Sequence, residues 1–229
     1  MTTVTIRQPG YLPNMGFFKK ILASDIFVYF DDAQYAIRSW DNRNKIRNGN
    51  KSSWLSVPVI HPHSKKLNEV EISYSKDWIT NHVNLIESSY DKTPYFENYW
   101  KEIKLILEKK WTKLIDLNIC LIEYFITVLE INTPRKKSSQ LKIDDVSSQK
   151  LLKICEKLNA TTYRSGIMGK EYLDENIFKN ASIDVIYENF QHPTYNQLDS
   201  NFLPNMSIID LLFNEGNNSR QILQNSKDF

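Results

Sequence analysis

Four short segments hold the side chains best suited to bind or transform a ligand. Arg7-Gln8-Pro9-Gly10-Tyr11-Leu12-Pro13-Asn14 combines a guanidinium, an amide and a phenol with two prolines and a glycine, a run that forbids helix and strand interior alike. A helix opening at Asn14 or Met15 would present free amides to an anion. Arg7 and Gln8, with Tyr11, then face the ligand. Asp31-Asp32-Ala33-Gln34-Tyr35 sets two carboxylates side by side. Such groups bind Mg²⁺, fix an ammonium or hydroxyl, or act as a base. Neighbours on extended chain point to opposite sides, so this pair is not expected to chelate one ion together. Asp41-Asn42-Arg43-Asn44-Lys45-Ile46-Arg47-Asn48-Gly49 interleaves cations and amides suited to phosphate or carboxylate oxygens; the alternative is a solvated hairpin. The adjacent Trp40 suits stacking on a base or a sugar face, and equally suits a core. In Arg164-Ser165-Gly166, followed by Lys170 and Tyr172, a strand ending in Ser-Gly precedes a helix, a plausible oxyanion cradle.

Other chemistries find less support. There is neither a GxxxxGK[ST] phosphate loop nor a GxGxxG dinucleotide fingerprint, and no GxSxG elbow. His61-Pro62-His63 lacks a third metal ligand, and no metal site is expected. Among the four histidines, His192 lies in an aromatic loop, Phe190-Gln191-His192-Pro193-Thr194-Tyr195, and is the best general-base candidate, with Asp31 and Asp32 as the carboxylates of a catalytic set. Tyr195 joins the binding candidates. Cys120 and Cys155 sit in apolar helical contexts without an activating neighbour and read as reduced core thiols.

These segments need strands to carry them. Val4-Thr5-Ile6 reads as a buried strand, Met15 to Ala23 as a helix, and Ile26 to Phe30 as a second strand: a βαβ unit of a parallel sheet. Trp54 to Val59 reads as a further strand. Helices are expected around Trp78–Ile86, Tyr99–Leu107 and 115–131, then a polar linker, Pro134 to Ser139. A helix from Ser147, strands at Thr161–Tyr163 and Asp184–Tyr187, and helices at Met206–Phe213 and Asn218–Leu223 complete the chain. The fold class is therefore α/β: a parallel-sheet, Rossmann-like core formed by 1–75 and 138–229, with 76–137 as a helical insertion in one compact domain. In an open parallel sheet, ligands sit at the carboxyl ends of strands, where all four segments fall.

The chain of 229 residues is 41% hydrophobic and 24% charged, with a formal charge of +2, which argues against disorder and against wrapping nucleic acid. The start lacks a signal-peptide pattern, and the most apolar window, 115–131, contains Asp116, Glu123 and Glu130. A cytoplasmic protein without integral membrane contact is expected; whether it forms a homodimer is left open.

The segments IRQPGYLPNMGFF, SDIFVYFDDAQY, WDNRNKIR and WLSVPV, with TYRSGIMGKEYLD, FQHPTYNQL and FLPNMSIIDLLFNEG, together resemble the WbqC-like protein family over about residues 4–223. The resemblance implies O-antigen or capsule biosynthesis and transfer of glycine, or of an activated glycyl donor, to the amine of a nucleotide-linked dideoxy-amino sugar. Asn205, in the FLPNMS motif, joins the implied binding set. Where the family reads His-Gln-Pro, this chain has Arg7-Gln8-Pro9, so a catalytic base there would be lost and an anion-binding role kept. The opening is also similar, at fold level only, to HIGH-type nucleotidyl-transferase folds such as pantothenate synthetase, which form amides through an acyl-adenylate. ATP and Mg²⁺ are thereby candidate cofactors. Two alternatives remain: a non-catalytic nucleotide-sugar binder, or a pathway-partner binder using Trp78, Tyr99, Trp100 and Trp111, for which an exposed apolar patch is expected.

Overall fold

The computed structural model describes residues 1–198 and 201–227. The chain opens with β1 (Thr3–Arg7), α1 (Met15–Leu22) and β2 (Ile26–Tyr29), continues through a hairpin of β3 (Arg43–Asn48) and β4 (Lys51–Ser56), and a small pair, β5 (Val59–Ile60) and β6 (Glu71–Ile72). Three helices follow: α2 (Trp78–Tyr90), α3 (Phe96–Glu108) and α4 (Leu114–Val128). Then come β7 (Arg135–Lys137), α5 (Ser147–Lys157), β8 (Thr162–Gly166), α6 (Glu175–Asn180), β9 (Asp184–Glu188), α7 (Ile208–Glu215) and α8 (Asn218–Asn225). Five strands form one parallel sheet in the order β7-β2-β1-β8-β9. Numbered within the sheet, that is 3-2-1-4-5, the doubly wound Rossmann order.

β2 shows how the sheet acquires two covered faces. Phe27 and Tyr29 enter one buried cluster with Phe17, Phe18 and Ile21 of α1. Val28 enters another with Val4, Ile6 and the Leu151, Ile154 and Cys155 face of α5. The strand's two-residue period divides its side chains between layers, and each fully buried one contributes roughly 1.5–3 kcal/mol. The α1 cluster runs on into α2–α4 and α7, where Phe213 packs on Tyr90 and Phe96 with ring centroids 5.2 and 5.1 Å apart. Trp78, Tyr99 and Trp100 are buried in that cluster and Trp111 is half-buried against it, so the aromatics of these helices are core rather than an open docking face.

Three local expectations change. The expected linker holds β7, an Arg/Lys edge strand, which pairs Phe27 with Arg135 and is tied to α4 by Arg135 Nη2–Glu123 at 2.9 Å. Cations on an edge suit it for protection against further pairing. The segment 41–49 forms β3, whose Arg47 and Asn44 are buried, so it is a packed hairpin and not a solvated one. The strand expected at 54–59 divides at Pro58, which has no N–H to donate. No helix among the described residues is long and apolar enough to cross a membrane.

Candidate functional site

From β1 the chain winds outward through β2 to β7, and from β8 outward to β9. The sequence order therefore reverses between β1 and β8, and a crevice opens at their carboxyl ends. There lies a cleft of ≈ 1440 Å³ lined by Arg7 and Gln8 leaving β1, Asp32 and Gln34 after β2, and Gly166 at the end of β8. The N-termini of α1 and α5 reach it from opposite faces of the sheet, with Asn14, Gly16, Val146 and Ser147 in its wall. Neither helix has a side-chain cap.

The loop between β1 and α1 is held by partners far away in sequence. Leu12 adopts φ 43°, strained for a branched residue, and is kept there by full burial and by Asn44 Nδ2 donating to its carbonyl at 2.7 Å. Asn118 of α4 donates to the carbonyls of Pro9 at 2.9 Å and Asp41 at 2.7 Å, joining this loop to the next. Tyr11 N–H donates to the Trp40 carbonyl at 3.1 Å. This approach requires Gly10, where a Cβ would stand 2.8 Å from that oxygen. Tyr11 itself is fully buried against His82, with Oη 2.9 Å from Nδ1, and so anchors the loop from behind the cleft. Burial raises the Tyr11 phenol and lowers His82 to about 4.

Charges converge on the floor. Arg7 is exposed and makes no side-chain hydrogen bond or ion pair among the described residues; a Cβ at Gly166 would lie 3.2 Å from its Nη1 and 3.5 Å from Lys20 Nζ. Lys20 contacts the buried carboxylate of Glu188, which also meets Arg164 Nη1 at 3.2 Å. Asp32 pairs with Lys150 of α5 at 2.6 Å and accepts from Ser138 Oγ. Asp31 turns away, accepting from Ser138 Oγ, Ser139 N and Ser139 Oγ at 3.0, 2.9 and 2.6 Å, which ties the end of β2 to the turn after β7. The adjacent carboxylates thus share the single proton of the Ser138 hydroxyl, and of the two only Asp32 lines the cleft. Asp41 also lines the cleft. It is only 3% exposed, and its carboxyl is raised above the usual range, first by burial, against hydrogen bonds from Ser39 and Ala36.

Of the candidates named from sequence, the cleft gathers Arg7, Gln8, Asp32, Gln34, Trp40, Asn44, Gly166 and Tyr172. The others stand outside its lining. Tyr35 is core; Asn42 donates to the Val57 carbonyl. Arg43 lies over Trp54 at 4.4 Å and donates to the Arg38 carbonyl. Arg47 is buried, with Nη1 donating to Gln197 Oε1 and the Asn201 carbonyl, both at 2.7 Å. Tyr195 donates to the fully buried Asp210 at 2.7 Å, which Tyr90 and Gln197 also contact. Ser165 is buried beneath Gly169, and Asn205 is exposed on another segment. His192 packs among Phe190, Tyr195 and Phe202, with Nδ1 2.9 Å from the Pro193 carbonyl and burial lowering its pKa. The geometry therefore corrects the expectation that Arg7, Asp32, Arg43, Ser165 and His192 share one wall. Arg7 and Asp32 line it, Arg43, Ser165 and His192 do not, and Lys20, Asp41, Lys150 and Glu188 join the first two. Glu188, a carboxylate ending a strand, carried the same signal as Asp32; the lysines lie within helices and carried none.

Among the described residues no group of three or more His, Cys, Asp or Glu side chains converges as a metal cage. Mg²⁺ accompanying a nucleotide needs only one or two carboxylates; Asp32, the carboxylate after β2 in the lining, already meets Lys150 and Ser138 and would have to exchange the Lys150 contact to hold the ion.

A model of the WbqC-like protein family matches residues 8–222. The uncharacterized protein Rv1507c of Mycobacterium tuberculosis (strain ATCC 25618 / H37Rv) is 34% identical over 223 residues, covering 94% of this chain and 95% of its own length.

Proposed function

The chain belongs to the WbqC-like protein family, a membership that suggests a role in polysaccharide biosynthesis, and within that role we propose that the cleft transfers a glycyl group to the amine of a nucleotide-linked amino sugar. One observation carries the reading: Arg7, exposed and without a hydrogen-bonded or ion-paired partner among the described residues, lies in the β1/β8 crevice between the N-termini of two helices. A diphosphate matches that guanidinium and the helix N-termini beside it. Lys20 adds charge from the same side, while Asp32 can orient the glycyl ammonium or Mg²⁺.

In the reaction the sugar nitrogen bonds to the glycyl carbonyl carbon. The C–O bond to the activating group breaks, the oxygen leaves with the electron pair, and the amine gives up a proton. Glycine with ATP, through an acyl-adenylate, and a pre-activated glycyl donor are the two sources of that leaving group. Cations in the crevice stabilise charge developing on it. The displacement of His192 from the lining favours a second reading, a nucleotide-sugar binder without catalysis.

Incubation with glycine, Mg-ATP and a panel of UDP- and dTDP-linked amino sugars, followed by mass spectrometry, tests both. Transfer from glycine and ATP predicts a sugar nucleotide heavier by one glycyl group, with pyrophosphate and AMP released. Product only from a charged carrier identifies a pre-activated donor. Nucleotide-sugar binding without product from any donor leaves the binder reading, and absence of both product and binding overturns both.

A further inference from the structure

The cleft is chemically unequal along its length. Beyond β8 its wall carries the exposed apolar side chains Ile167, Met168 and Tyr172, at 42, 61 and 64% exposure, while the lining before α5 sets Val146 beside Lys142, Asp144 and Asp145. On the β2 side the wall holds Trp40, with Gln8, Gln34, Ser39, Asp41 and Asn44 around it. Trp40 is 51% exposed, yet its placement is fixed. Its carbonyl accepts from Tyr11 N–H, Asn118 clamps the next carbonyl, and its ring rests 5.3 Å from that of Trp54. Trp54 is braced by Arg43 and Lys45 at 4.4 and 4.9 Å. An exposed indole held this firmly over a cleft offers a flat apolar face at little ordering cost. Next to it, the buried Asp41 carboxylate forms no ion pair among the described residues; Arg7 acts on it only through space. A buried carboxylate ordinarily has a cationic partner.

We infer that Trp40 and Asp41 form an amino-sugar subsite, the indole stacking on the apolar face of the pyranose and the carboxylate receiving its ammonium. A sugar ring, apolar on its faces and hydroxylated at its edges, matches an indole ringed by amides and hydroxyls. A nucleobase matches the apolar wall beyond Gly166. With the diphosphate at Arg7, the ligand lies across the carboxyl ends of the strands, base toward Tyr172 and sugar toward Trp40. This rests on the nucleotide-sugar reading above and adds the direction in which the ligand lies.

Calorimetric titration of UDP, UDP-glucose and UDP-glucosamine, and of the matching dTDP series, separates the two claims. The wild-type protein is expected to bind the glucose conjugate more tightly than the bare diphosphate, and the amino-sugar conjugate more tightly still. Trp40→Ala should erase the gain from either sugar, about three- to tenfold, while bare diphosphate binding stays unchanged. Trp40→Phe should keep most of the gain, which excludes a folding defect as the cause. Asp41→Asn should remove only the preference for the amine. Diphosphate binding without any gain from the sugar overturns the subsite and spares the parent reading. So does an equal loss for diphosphate and conjugate in Trp40→Ala, which would put the base on the indole. Failure of every nucleotide to bind overturns both.

Discussion

Asp32 and Lys150 meet at 2.6 Å with side chains only 11 and 9% exposed, so removing one leaves the other poorly hydrated. Asp32→Ala is expected to cost about 2–3 kcal/mol, visible in chemical denaturation, besides weakening ligand binding. Arg7→Ala, at an exposed side chain without a hydrogen-bonded or ion-paired partner among the described residues, should leave stability within about 0.5 kcal/mol. His82 gives a pH signature. Its folded-state value of about 4 lies below the ordinary 6.5, so the unfolded chain takes up the proton first. Stability from this residue is complete above about pH 6.5 and is lost as pH falls toward 4, by about 3 kcal/mol. His82→Gln should flatten that part of the urea-midpoint profile; an unchanged profile would show that His82 is not the group responsible. At this scale the sequence was informative where chemistry sits at a strand end, as with Arg7, Gln8 and Asp32. Arg47 and Tyr195 carry the same chemical types, but burial turned them inward, to partners 150 and 15 residues away. A linear pattern does not contain those partnerships.

Helix and strand order was legible wherever hydrophobic periodicity was long: β1, α1, β2, the three central helices and α5 lie where the pattern put them. β7 was not, because a three-residue edge strand of Arg-Lys-Lys has no apolar alternation and exists only through pairing with β2. β3 was hidden for a related reason: its amides and cations are buried by tertiary contacts rather than by their own apolarity. Loops depend on such contacts too. Asn118→Ala would leave the Pro9 and Asp41 carbonyls without their buried donor, an expected loss of about 2 kcal/mol. Amide exchange should quicken in the 8–14 and 36–41 loops together; quickening in one alone would contradict the shared clamp. Gly10→Ala, driving a methyl to 2.8 Å from the Trp40 carbonyl, should cost about 2 kcal/mol and displace the Trp40 loop.

For the molecule as a whole, the 3-2-1-4-5 strand order places the crevice, and two helix N-termini reach it from opposite faces of the sheet. The apolar wall beyond Gly166 and the tryptophan rim give it direction. Most of the polar segments singled out from sequence help to build this region, some as lining and others as the frame that holds the lining. The central claim is that the crevice at Arg7 holds the diphosphate of a sugar nucleotide. Its most direct measurement is calorimetric titration of UDP- and dTDP-linked amino sugars into the wild-type protein and Arg7→Ala, with thermal unfolding run on both. The account predicts saturable one-site binding, at least about tenfold weaker in the variant, at matched stability. Equal affinity in the two proteins, or no binding to the wild type, would contradict it.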